Sequence, residues 1–274
     1  MITNIDISSA QGGAISFPIE NVVTGFPILG IEGLEPVKAT LVSTVFAQQK
    51  GAQYQGGRRE PRNLKLTLGF EPNWVAGETV AGLRKQLYST LMPQSAVTLL
   101  FEQDDDPDVT MYGVVESFES PLFAKDPTVD VVIIGYDPDF IVPTPVLLEL
   151  TSVTDSTMTE FEYDGTVETG ILFRLLVDRT ITGFTIYHQG NDGIPRSMLV
   201  NVDAVSGDVI TISTVSGNKF ATLTHSSSDS SVLYGISPQA DWFELLPGTN
   251  QMRVELSGTT IPYTVEYITR YGGL

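Results

Sequence analysis

Apolar and polar residues alternate with a period of two through most of this chain. Leu64-Lys65-Leu66-Thr67-Leu68-Gly69-Phe70-Glu71 alternates without a fault. Successive side chains of a strand point to opposite sides, so this run predicts a strand with one buried face. Residues 37–46 are β-branched and aromatic on both faces, which predicts a neighbouring strand with deeper burial. Between the two, residues 48–63 hold Gly51, Tyr54, Gly56, Gly57, Arg58, Arg59 and Arg62. That segment reads as a hairpin with a long basic tip, and loops of this length inside compact domains tend to carry function. Further strands are expected at 97–102, 109–118 and 129–136. One stretch breaks the pattern: Val80, Leu83, Leu87 and Leu91 recur at spacings of three and four, the signature of an amphipathic helix. Thr79 is its expected N-cap, and Pro93 stops it after Met92.

Three prolines, Pro138, Pro143 and Pro145, make 137–145 an extended separator between two folding units. Beyond it, short alternating runs are expected as strands near 158–163, 171–177, 181–187, 198–203, 208–213, 219–223, 251–256 and 261–270. Turn-forming clusters such as Gly190-Asn191-Asp192-Gly193 and Ser216-Gly217-Asn218 lie between them. Many short strands at this spacing predict a sandwich or jelly roll. The chain is thus mainly β, with expected domains 1–140, around one helix, and 146–274.

Composition narrows the function. The 274 residues include no cysteine and two histidines, His188 and His225, which excludes disulfides and thiolate zinc sites. No apolar run approaches the length that spans a bilayer, and the segment from Met1 to Asp6 lacks the basic start of a signal peptide, so no membrane partner is expected. Net charge is −18. Residues 1–85 carry eight basic and seven acidic side chains, while residues 86–274 carry seven and 26. Such a surface repels phosphate backbones, so direct gripping of nucleic acid is not expected.

Candidate chemistry is sparse. The Gly51–Gly56 spacing fits a phosphate loop, but Gly57-Arg58 and a strand follow where Lys-Ser/Thr and a helix belong. Asp104, Asp106 and Asp108 imitate the first ligands of a calcium hand, but Val109 and Val115 stand at its glycine and glutamate positions. Neither His188 nor His225 lies by a nucleophile elbow, and paired carboxylates are defined only in space. No catalytic residue, cofactor or metal site is therefore assigned. Arg58, Arg59 and Arg62, with Tyr54, are candidate contacts to a neighbouring subunit, because the guanidinium fork suits bidentate pairing. A carbohydrate-binding module of a surface-adhesion protein is the alternative from a different class. Its candidate contacts are Trp242, Tyr187, His188, Asn191 and Arg196, although Trp242-Phe243 before Leu245-Leu246 reads more simply as core.

The order of elements resembles a known family. The hairpin ending in Arg58-Arg59-Glu60-Pro61-Arg62, the strand after it, the helix and the strand at 97–101 are similar to the N-terminal half of siphophage distal tail proteins. The stretch Trp242-Phe243-Glu244-Leu245-Leu246-Pro247-Gly248-Thr249-Asn250-Gln251-Met252 resembles that family's C-terminal part. In the family, a Leu-x-Pro-Gly-x-Asn turn closes the second domain, which here marks Trp242, Leu246, Pro247, Gly248 and Asn250. The resemblance implies a barrel-like N-terminal β domain followed by a galectin-like antiparallel sandwich. It implies a hexameric ring at the distal end of a non-contractile tail, made in the host cytoplasm and carried in the virion. The ring would join the tail tube to the tip hub and to fibre or receptor-binding proteins, and DNA would pass through its lumen without specific binding. The galectin sugar motif His-x-Asn-Pro-Arg is missing; His188 to Arg196 echoes only its residue types.

Overall fold

The computed structural model describes residues 1–20, 22, 24–47, 50–121 and 127–274. Contacts divide it into two compact units, Met1–Pro143 with Tyr271–Leu274, and Thr144–Arg270. The last four residues thus group with the first unit and not with the rest of the 146–274 segment. Two hydrogen bonds explain this: Arg62 Nη2 donates to Gly272 O and Leu274 N donates to Leu34 O.

The first unit contains β1 (Ile2–Ser9), β2 (Ala14–Pro18), β3 (Ile28–Glu32), β4 (Ala39–Thr44), β5 (Gln53–Arg59) and β6 (Arg62–Gly69). The helix α1 (Val80–Leu91) follows, then β7 (Ala96–Gln103), β8 (Val109–Glu119), β9 (Thr128–Gly135) and the two-residue β10 (Phe140–Ile141). The main sheet has the order β2-β1-β7-β8-β9-β6-β3, with β10 beside β8. Its pairings are antiparallel. The path ends at β2 and β3, so among the described residues no closed barrel forms. Strands β1 to β3 carry no expectation from the sequence. In α1, Thr79 Oγ1 accepts from Gly82 N at 3.1 Å, and Leu83, Leu87 and Leu91 are buried, as the spacing predicts. These leucines join Leu64, Leu66, Leu68, Phe70, Val131 and Ile133 in one core.

Residues 37–46 are not part of that core, contrary to the expectation from their composition. Strands β4 and β5 pair with each other as a two-stranded ribbon, and every residue of β4 is exposed. A β-branched, aromatic strand states which side chains prefer burial; it does not state which neighbour supplies it.

The second unit contains β11 (Val146–Thr151), β12 (Thr159–Tyr163), β13 (Ile171–Leu176), β14 (Phe184–Gln189) and β15 (Pro195–Val200). It continues with β16 (Val209–Ser213), β17 (Phe220–His225), β18 (Ser228–Ser231), β19 (Gly248–Glu255) and β20 (Pro262–Tyr267). Two antiparallel sheets result, ordered β11-β20-β13-β16-β17-β18 and β12-β19-β14-β15. Alternate residues of both, among them Phe173, Ile186, Val200, Ile212, Val254 and Val265, form a single core, the layering of a sandwich.

Candidate assembly surface

The β4–β5 ribbon places large apolar side chains in solvent. Leu41 is 67% exposed, Val42 57%, Val45 73% and Tyr54 64%. The register explains why the ribbon cannot cover them itself. Gly57 stands opposite Leu41 and Gly56 opposite Val42, so neither has a cross-strand side chain to pack against. A β-carbon on Gly57 would lie 3.1 Å from Leu41 Cδ2 and 3.2 Å from the Tyr54 hydroxyl, so Leu41 and Tyr54 lie close over the glycine backbone. Leu41 and Tyr54 thus share one face of the ribbon and Val42 the other, and exposed apolar clusters of this kind mark interaction surfaces in soluble proteins.

The three arginines differ in role. They do not sit at the hairpin tip: Arg58 and Arg59 lie in β5, opposite Thr40 and Ala39, where the ribbon leaves the unit. The tip residues 48 and 49 lie outside the described residues. Arg58 is exposed. Arg59 pairs with the carboxylate of Asp139. Arg62 is wholly buried and is therefore not a surface contact, contrary to the expectation from the sequence. Its Nε donates to Pro138 O at 2.7 Å, Nη1 to Gly33 O at 2.5 Å and Glu35 O at 2.8 Å, and Nη2 to Gly272 O at 2.6 Å. Its guanidinium also lies 4.2 Å from the centre of the Phe140 ring. Burial lowers its pKa, and Asp139 and Glu35 act in the opposite direction. One signal could have found this: Arg62 has the same parity as Leu64, Leu66 and Leu68, the inward face of β6.

In the second unit the turn residues converge. Gly248 has φ +90°, a region that glycine enters without the cost a side chain imposes. Asn250 is fully buried. Its Nδ2 donates to Leu246 O at 2.6 Å and Gly248 O at 2.9 Å, while its Oδ1 accepts from Leu246 N at 3.1 Å and faces His188 Nε2 at 3.0 Å. Asn191 Nδ2 donates to Pro247 O at 2.6 Å, which ties the neighbouring loop to the same turn. Trp242 is partly buried against the core, with Lys219 Nζ 5.9 Å from its ring centre.

The candidate glycan contacts are each engaged within the fold. His188 is 1% exposed and stacks on Phe243, with centroids 4.6 Å apart. Arg253 covers Tyr187 at 3.8 Å, and Arg196 pairs with Asp192 at 2.6 Å. That pairing holds the Asp192 carboxyl below its usual range, with the Ile194 backbone N–H helping. In the acidic turn, Asp108 Oδ1 accepts from Gln103 N at 3.1 Å. Among the described residues no three His, Asp or Glu side chains are grouped to hold a metal ion.

The fold therefore defines a two-unit antiparallel β protein, whose first unit projects an apolar ribbon and whose second is a sandwich closed by a buried-asparagine turn. Residues 164–271 match the family model of the siphovirus-type tail component, C-terminal domain. Comparison with the curated proteins finds no match. Among solved structures, the chain is similar to the Dit protein of phage SPP1, described as a paradigm of the hub adsorption apparatus in phages infecting Gram-positive bacteria. Identity is 14% and the TM-score 0.66, over 97% of this chain and 98% of that one. A chain of the phage P2 baseplate in its activated conformation with Ca matches at 9% identity and TM-score 0.45, over 99% and 98%. Only the first supports a fold assignment. The resemblance to distal tail proteins read from the sequence is borne out by the family model over residues 164–271, and the fold is similar to that of SPP1 Dit.

Proposed function

We propose that this chain is a structural protein of a siphophage tail, a distal tail protein that builds a ring from copies of itself and makes or breaks no bond. The observation that carries the reading is the β4–β5 ribbon, which exposes Leu41, Val42, Val45 and Tyr54 and finds no second strand layer among the described residues. A second copy of the first unit supplies the missing cover, and Arg58 at the base of the ribbon supplies a charged contact. The end-to-end likeness to SPP1 Dit and the family match of the second unit support the class. Six copies, a lumen for DNA, and attachment to tail tube, tip hub and fibres follow from the family resemblance. The placement is the distal end of the tail in the virion. Acidic side chains facing the lumen would repel phosphate and let DNA slide past; a basic stripe there would contradict this part.

Light scattering on the purified protein tests the reading. The wild type is expected at several times 29.8 kDa. The combined variant Leu41→Ser, Val42→Ser, Tyr54→Ser is expected as single chains with an unchanged circular-dichroism spectrum. A variant that still assembles would remove the ribbon from the interface.

A further inference from the structure

His188 is buried in the second unit, and its bonding fixes its protonation state. Asn250 uses both amide hydrogens on Leu246 O and Gly248 O, and its Oδ1 already accepts from Leu246 N. Flipping the amide would set its NH2 against the Leu246 N–H, so the orientation is determined by the network. The atom facing His188 Nε2 is therefore an acceptor, and Nε2 must carry the ring's hydrogen. That leaves Nδ1 as the bare nitrogen, buried and without a hydrogen-bond partner among the described residues. Protonation would place an N–H at a point where nothing accepts it and a charge where water does not reach, and both are costly.

We propose that His188 and Asn250 form an acid-sensitive latch, which holds the Leu246–Asn250 turn closed while the imidazole is neutral and releases it when the ring takes a proton. The latch reaches two further segments. Phe243 stacks on the imidazole at an interplanar angle of 13°, and Asn191 binds Pro247 O, so the turn, the segment before it and the 190–193 loop share one support. The charged groups near the ring are Arg196, its cross-strand partner on β15, and Asp192. Met252 on β19 is its other cross-strand neighbour and bears no charge. Burial pushes the His188 pKa down, the Asn250 hydrogen bond raises it, Arg196 lowers it and Asp192 raises it, with a net depression. The sign follows. Below the ordinary histidine value of about 6.5 the unfolded chain binds a proton that the folded chain refuses, so stability falls as pH falls. It levels off only below the depressed folded value.

The test uses the full chain. Trp74→Phe leaves Trp242, one residue from Phe243, as the sole tryptophan and so a fluorescence reporter of the second unit. His188→Gln in that background keeps an amide N–H for Asn250 and removes the titration. Between pH 6.5 and 5.5 the unfolding equilibrium constant in urea is expected to rise about fivefold more in the protein that retains His188 than in the His188→Gln variant, the increase for one proton excluded from the folded state. Carboxylate effects are common to both proteins and cancel. Equal pH dependence would overturn the latch. Should the glutamine variant not fold, histidine-selective NMR decides: His188 is expected to keep its Nε2–H neutral form at pH 5.5, about one unit below the ordinary histidine value. Titration of His188 at or above the ordinary value of about 6.5 would overturn it.

Discussion

Arg62 shows how one residue can serve assembly of the subunit and not assembly between subunits. Its guanidinium gives hydrogen bonds to four main-chain carbonyls, at Gly33, Glu35, Pro138 and Gly272, the last 210 positions away in sequence. Replacing it by alanine leaves those oxygens in a buried site without donors. We expect Arg62→Ala to lower the stability of the first unit by about 3–5 kcal/mol, the range for breaking a buried charged network, measured by urea unfolding. Arg58→Ala, on an exposed side chain, is expected to leave stability within about 0.5 kcal/mol. Gly248→Ala forces a β-carbon at φ +90° and is expected to cost about 1–2 kcal/mol. At this scale the sequence was partly legible. The turn residues Leu246, Pro247, Gly248 and Asn250 could be named through the family resemblance, because the pattern that carries it is local. The bond from Asn250 to His188 spans 62 positions, and no local pattern encodes it.

Elements were legible where their own periodicity sets their burial. Helix α1 begins after Thr79 and ends before Pro93 because cap and breaker are written in the chain, and Thr79→Ala is expected to cost about 1 kcal/mol of stability, read as a lower thermal midpoint. Strand β6 follows the same logic, with Leu64, Leu66 and Leu68 all inward. Strand β4 does not. Leu41 and Val42 read as core, yet they sit opposite Gly57 and Gly56 on a ribbon outside the main sheet. Periodicity reports apolarity and not the identity of the covering surface, so a strand left exposed on a ribbon looks like a core strand. Strands β1 and β2 escaped for a related reason: β1 gains its place by pairing with β7 almost a hundred positions later, and β2 gains its place by pairing with β1.

At the scale of the molecule, the two units have separate cores, one around Leu64, Leu87 and Val131 and the other around Phe173, Ile186 and Val254. A fragment spanning 144–270 is therefore expected to fold alone, giving a β-type circular-dichroism spectrum and a cooperative thermal transition; a fragment without that transition would show that the sandwich depends on the rest of the chain. The ribbon belongs to the other unit, so this fragment is also expected to remain a single chain. The central claim is that copies of the first unit cover each other's ribbons to close a ring, and native mass spectrometry of the purified protein, paired with electron micrographs of the same sample, tests it most directly. The account predicts a mass of about six times 29.8 kDa and annular particles with an open centre. A lone 29.8 kDa species at every concentration, without annuli, would contradict it.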